Sequence, residues 1–311
     1  MTLLDRVQKL TPQIRATADR VEADGEIPAP VIESLAEAGV FRLAVPGGTP
    51  SSAGEMVAVL EEIGRADAST GWCAMIGAIT GTALTYLPPE TAASLLSDPN
   101  LVMAGVGSPR GEARAVEGGY RVTGRWSLAS GCLHATWIVG GAHTAEGFRC
   151  FLMRAGEVTI HRTWDALGLR GTGSHDFSAS DVFVPTERVF DPTGPARGSG
   201  TLSRYGRSAL GFGVAAVMLG VARAAIEDFG GSDQARGLHG SGRAFLLEAF
   251  ANGSEADQEL AVVTAAGHAT RATDLVYAAN GTAAAMMSSP LQRYFRDVHT
   301  AAQHGMVRGG S

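Results

Sequence analysis

The chain has 311 residues, 45% of them hydrophobic and 18% charged, with 41 glycines and 13 prolines, a balance that offsets chain entropy by burial and excludes general disorder. Lys and Arg number 25 against 31 Asp and Glu, and with no long basic run the charge argues against a nucleic-acid partner. Cys73, Cys132 and Cys150 are widely spaced and form no C-x-x-C pair, which argues against a disulfide framework or a zinc site and fits a reducing cytoplasm.

At roughly 100–200 residues per domain, this length predicts two or three domains or one large one. The first residues, MTLLDRVQKLTPQIR, carry charges at Asp5, Arg6, Lys9 and Arg15 and lack the unbroken apolar stretch of a signal peptide. Leu3, Leu4, Val7, Leu10 and Ile14 recur at helical spacing, and Thr2 with Asp5 reads as a capping box. Further helices are predicted from Ala29 to Gly39, Glu55 to Ile63 and Gly71 to Tyr86. The uncharged stretch from Gly71 to Pro89 approaches membrane-span length but holds three glycines and a terminal Pro-Pro, so it reads as a buried core helix. Near Leu101 the period changes: segments 120–126, 147–153, 157–164 and 181–185 alternate between turn signals and predict an antiparallel sheet. After the Gly/Pro-rich link DPTGPARGSG (191–200), helical periodicity returns from Ser208 to Phe229 and continues through RAFLLEAF, ELAVVTAAGHATRATDLVYAAN and SPLQRYFRDVHTAAQH. The expected fold is α+β: an N-terminal helical domain over 1–100, a central β-domain over 101–200 and a C-terminal helical bundle over 201–311.

Helices, then sheet, then helices is the wrong order for a dinucleotide-binding unit, and the glycines at 105, 107 and 111 do not match its spacing. Lys9 is the only lysine, so neither a phosphate-loop lysine nor a Schiff base is available beyond the first helix. No G-x-S-x-G elbow and no H-E-x-x-H pair occurs.

Four stretches carry a resemblance: RADASTGWCAMIGA (65–78), GGYRVTGRWSLASGCLHATW (118–137), TWDALGLRGTGSHDFSASDVFVP (163–185) and SPLQRYFRDVHTAAQH (289–304). Together they resemble the acyl-CoA dehydrogenase superfamily, specifically its flavin-dependent monooxygenase branch, the oxygenase components of two-component aromatic hydroxylases. The resemblance implies a flavin held between sheet and bundle, and a homo-oligomer, dimer or tetramer. The dehydrogenase branch carries a catalytic glutamate after the Arg-Asp pair of the last helices, whereas no carboxylate follows Asp297 here. A histidine ends the motif in the hydroxylase branch and matches His304.

By this resemblance the cofactor is reduced FMN or FAD supplied by a separate flavin reductase, and the reaction hydroxylates a small aromatic or polyketide-like molecule with O2. Ser130 would direct its hydroxyl at the flavin's central-ring nitrogen, and His304 would serve as acid or base. Trp126 would flank the flavin, Gly105, Gly107 and Ser108 would bring backbone to its edge, and Trp72 and Met75 would wall the substrate pocket. Asp297, seven residues before His304, would orient that histidine if the helix runs unbroken. His134, His175 and Asp176 read as hydrogen-bonded scaffold, and no metal is expected. Phe229 leads through GGSDQARGLHGSG into Arg243, where the superfamily has a loop and a second long helix, so a glycine-rich stub is expected there and one bundle helix is expected to be missing or much shortened. Two other readings follow: an acyl-CoA dehydrogenase-type flavoprotein with tightly held FAD, and an inactive or non-redox binding subunit that keeps the fold.

Overall fold

The computed structural model describes residues 1–45, 52–198 and 208–308. In the first third, Thr2 and Asp5 form the expected capping box on α1 (Leu3–Asp24), which buries Leu3, Val7, Ile14, Ala18 and Val21 on one face. Helix α2 (Ala29–Ala38) stops where Gly39 adopts a left-handed φ of 89°, a conformation glycine enters without steric cost. Helices α3 (Ala53–Ala66) and α4 (Ala68–Thr80) meet at Asp67, whose carboxylate caps α4 by accepting from Thr70 N–H at 2.7 Å. The helix predicted as far as Tyr86 changes to 3₁₀ geometry from Gly81 to Tyr86 before α5 (Pro89–Leu96).

Seven strands follow: β1 (Met103–Val116), β2 (Gly119–Ala129), β3 (Trp137–Thr144), β4 (Gly147–Arg154), β5 (Thr159–His161), β6 (His175–Pro185) and β7 (Val189–Phe190). They form one sheet in the order β5-β6-β2-β1-β3-β4-β7. The antiparallel expectation is corrected at one seam, where β1 runs parallel to β3, so the sheet is mixed. Alternation had pointed to β2, β4 and β6, but β3 reads as a continuous buried run, WIVGGA, which has no period of two to detect. The segment 157–164 contributes only three strand residues.

The last third holds α6 (Ser208–Phe229), α7 (Asp233–Asn252), α8 (Glu255–Ala279), the short α9 (Gly281–Ala284) and α10 (Pro290–Ala301). The stretch expected to be a glycine-rich stub is the first half of a 20-residue helix, α7, capped by the Ser232 hydroxyl. Of its glycines, Gly242 lies close against α8, where a Cβ would stand 3.2 Å from the Ala265 Cα, whereas a Cβ at Gly237 or Gly240 would meet nothing within 4 Å. Helix α6 is long and apolar enough to cross a membrane, and 83% of that span is buried inside the protein; it is the central core helix.

One core joins helices from both ends of the chain, with Met56, Leu60 and Met75 meeting Phe212, Val217, Phe250 and Leu291. A seam of glycines runs through it. A Cβ on Gly220 would lie 2.3 Å from the Glu61 carbonyl oxygen, one on Gly64 would lie 2.8 Å from that of Val217, and one on Gly71 would lie 2.7 Å from the Gly64 Cα. Backbones of α3, α4 and α6 therefore touch directly. Beside the seam, buried Glu62 accepts from Arg65 and Thr11, and buried Glu61 accepts from Arg243. A second cluster, built on Trp126, Phe151 and Phe177, fills one face of the sheet.

Candidate active site

Between sheet and helices lies a cavity of about 880 Å³, within the size range of small-molecule sites. Its floor comes from α4 (Trp72, Ile76) and α6 (Leu210); its walls come from β1 (Gly105 to Ser108, Arg110), the end of β2 (Arg125, Ser127, Leu128, Ser130) and the segment between β5 and β6 (Trp164, Leu169, Ser174). Thr300, Gln303 and His304 close it from the C-terminal side.

Two irregularities in the sheet make this wall. The β1–β3 register shifts between Val106 and Gly111, and β2 joins β1 only from Gly111 onward. From Gly105 to Arg110 the edge of β1 turned away from β3 thus carries no strand among the described residues. The β2–β6 register also shifts between Trp126 and Ala129, with Leu128 at a φ of 66°. Such bulges re-aim side chains, and here the bulge brings Ser127, Leu128 and Ser130 to the cavity. Gly105 is required by its φ of 146° and by Val139, whose carbonyl oxygen would lie 2.2 Å from a Cβ; at Gly107 a Cβ would meet nothing within 4 Å.

Ser130 is 8% exposed and sits at the head of a hydrogen-bond chain. Trp72 Nε1–H donates to Ser130 Oγ at 3.0 Å, and Ser130 Oγ is 2.7 Å from Ser174 Oγ. Ser174 Oγ is in turn 2.7 Å from Thr172 Oγ1, whose hydroxyl donates to the Leu169 carbonyl at 2.8 Å. His304 packs edge-on to the Trp72 ring, with centroids 5.6 Å apart. Its Nδ1 accepts from Met306 N–H at 3.3 Å, which leaves the proton of the neutral ring on Nε2. Burial lowers the His304 pKa, so the ring is neutral at neutral pH.

Of the residues singled out in the sequence, Trp72, Gly105, Gly107, Ser108, Ser130 and His304 come together on this cavity, although they derive from four separate segments. Trp126 does not line it. That ring is fully buried in the sheet core, stacked on Phe177 at 4.8 Å, with its Nε1–H donated to the Gly141 carbonyl at 2.7 Å. The bulge after Trp126 explains the difference, because it turns the next residues outward and leaves the indole inward. Met75 does not line it either. Helical geometry puts Trp72 and Ile76 on one face, while Met75 lies on another, packed where Gly213 of α6 leaves room.

The expected pairing of Asp297 with His304 is replaced. Helix α10 ends at Ala301, so the two are not on one continuous helical face. The Asp297 carboxylate instead accepts from Leu169 N–H at 2.6 Å, and burial raises its pKa to about 7. His134, His175 and Asp176 are scaffold: His134 Nε2 accepts from Ile27 N–H, His175 Nδ1 from Trp164 N–H, and Asp176 pairs with Arg125 at 3.0 Å. Sequence reasoning missed Thr172, Ser174, Leu169 and Arg110. The first three lie within the 163–185 motif, but no spacing rule ties position 174 to position 130. Among the described residues the lining holds two arginines and no carboxylate, and Arg110 has no ion-pair partner.

Family models decide the lineage. Residues 2–91 match the acyl-CoA dehydrogenase N-terminal domain, and residues 247–308 match the acyl-CoA dehydrogenase C-terminal domain. The chain belongs to the acyl-CoA dehydrogenase superfamily. Among curated members of the superfamily, indole-3-acetate monooxygenase of Acinetobacter baumannii is 34% identical over 226 residues, 69% of this chain and 58% of that protein. The chain thus matches little more than half the length of that relative. The HsaA monooxygenase of Mycobacterium tuberculosis superposes with a TM-score of 0.85 at 25% identity, covering 96% of this chain and 91% of that one. XiaF from Streptomyces sp., solved with FADH2 and glycerol, shares the superfamily fold with a TM-score of 0.83 at 24% identity, covering 98% and 91%.

Proposed function

We propose that this protein is the oxygenase component of a two-component flavin-dependent monooxygenase, which takes reduced FMN or FAD from a separate flavin reductase and hydroxylates a small aromatic or polyketide-like substrate with O2. The observation that carries this reading is the joining of Ser130, His304 and the strand-free edge of β1 around one cavity that has no carboxylate in its lining among the described residues. An acyl-CoA dehydrogenase needs a carboxylate there to remove an α-proton.

The residues present fit a flavin. Gly107 opens the β1 edge so that a planar ring can reach unpaired backbone groups, and any larger residue there would fill that space. Ser130 offers a hydroxyl at the ring, and the guanidinium of Arg110 offers a partner for a phosphate. Bound reduced flavin would supply the two electrons with which O2 is divided between product and water. Trp72, Ile76, Leu210 and Leu169 exclude water from that space. His304, neutral and with its proton on Nε2, offers an N–H donor to a polar group of a molecule bound in the cavity and would hold that group in place. Exposed Leu260, Met286 and Met287 on α8 and the turn after α9 support assembly into a homo-oligomer.

The test is anaerobic titration with reduced FMN and reduced FAD, followed by mixing with air-saturated buffer while flavin absorbance, peroxide and hydroxylated product are followed. Tight binding of one reduced flavin and oxygen use slowed or coupled relative to free flavin is the expected outcome. Failure to bind either flavin in either redox state would replace this reading with that of a non-redox subunit.

A further inference from the structure

The Ser130–Ser174–Thr172 chain can run in two directions without moving a heavy atom. With the Thr172 hydroxyl donating to the Leu169 carbonyl, Ser174 must donate to Thr172 and Ser130 to Ser174, because each 2.7 Å contact holds one proton. Ser130 Oγ then accepts from Trp72 and keeps a lone pair for the cavity. Rotating three hydroxyls reverses the order: Thr172 donates to Ser174, Ser174 to Ser130, and the Ser130 proton enters the cavity. The Leu169 carbonyl is not orphaned by the reversal, since Trp164 Nε1–H at 2.9 Å and Thr172 N–H at 3.1 Å still donate to it. Thr172, Ser174 and Ser130 are 1%, 4% and 8% exposed, so bulk water does not compete for these protons.

We propose that Thr172 and Ser174 are positioning residues that let Ser130 accept from an N–H in the cavity in one arrangement and donate to a bare ring nitrogen in the other. This rests on the flavin reading: the central-ring nitrogen carries a proton in reduced flavin and none in oxidised flavin. The chain gives the site a fitting partner for both forms, and its two directions differ by one hydrogen bond to Leu169, exchanged for one to the ligand.

Thr172→Val keeps the shape but removes the hydroxyl. Of the two hydroxyls within reach of Ser174, only Ser130 then remains to accept its proton, which favours the outward direction. Equilibrium titrations with oxidised and with anaerobically reduced FMN and FAD read the effect. Thr172→Val weakens reduced flavin relative to oxidised by about tenfold, the scale of one hydrogen bond, whereas Thr172→Ser keeps the wild-type ratio. Ser174→Ala also denies Ser130 its inward acceptor and shifts the ratio the same way, and adding Thr172→Val to it produces no further shift. A general packing defect would weaken both forms alike. If Thr172→Val does not fold, Ser174→Ala alone decides. An unchanged ratio in the folded variants overturns the proposal and leaves the flavin reading intact, whereas absence of flavin binding by the wild-type protein overturns that reading itself.

Discussion

Asp297→Asn is expected to stabilise the protein at alkaline pH and to do little at acid pH. Asp297 is 2% exposed, and burial, reinforced by neighbouring Asp67 and Glu22, lifts its pKa from 3.8 to about 7 against the opposing pull of Leu169 N–H and Arg293. A carboxyl whose folded pKa is raised binds its proton more tightly in the native state, so its contribution is fully present below the unfolded pKa and is lost as pH rises through the folded value. A rise of about 3 units corresponds to about 4 kcal/mol, an upper scale for the cost of holding the ionised group at pH 8. Asparagine keeps an oxygen to accept from Leu169 N–H and carries no charge. Thermal unfolding at pH 5 and pH 8 checks the expectation, with the difference in Tm between variant and wild type growing on the order of 5–10 °C between the two. His134, His175 and His304, whose lowered pKa values make both proteins lose stability as pH falls below about 6.5, cancel in that difference. A Tm difference that is constant with pH, or that turns against the variant at pH 8, would refute the reasoning and show that the ionised carboxylate is held favourably.

His304→Ala should lower the hydroxylation rate by about 10²–10⁴, the range of a positioned acid or base; a wild-type rate leaves His304 as packing for Trp72. Gly107→Ala should leave Tm unchanged, because its Cβ meets nothing within 4 Å, while weakening flavin binding in the titration described above. Equal affinity would remove the β1 edge from the site. Gly220→Ala should cost about 1–3 kcal/mol in a denaturant titration, the scale of an overpacked core, because its Cβ would stand 2.3 Å from the Glu61 carbonyl oxygen; a neutral result would mean that α3 and α6 slide apart freely.

Caps and apolar runs made the helices legible: Thr2 and Asp5 start α1, Gly39 ends α2, and the continuous apolar run Ser208–Phe229 coincides with α6. The parallel seam between β1 and β3 was not, since a strand buried on both faces loses the alternation that betrays it. The glycine-rich start of α7 reads locally as a breaker, and only its contact with Ala265 on α8 shows why glycine is favoured at 242. In the cavity, motif context brought out Ser130 and His304, which do share it, but not which way a neighbour faces. Trp126 stays inward ahead of the one-residue bulge between it and Ala129, and Met75 lies on a different face of α4 from Trp72 and Ile76. Thr172 and Ser174 were silent because their partnership with Ser130 exists only after residues about 40 positions apart meet.

The seam at Gly64, Gly71 and Gly220 has a consequence for how molecules reach the cavity. Where backbones touch, there are no side chains to change rotamer, so the floor carried by α4 and α6 has little room to breathe. The lining residues that reach solvent are Gly107, Ser108, Arg110, Arg125, Ser127 and Leu128, from the interrupted ends of β1 and β2, and Gln303, just beyond α10. Opening and closing therefore fall mainly to the strand ends, with the turn after α10 beside them. Hydrogen exchange should find the amides of α4 slow with or without ligand, and those at 106–110 and 125–130 fast until a ligand slows them, so the residence time of whatever binds is set by two bulges in a sheet rather than by motion of the helices.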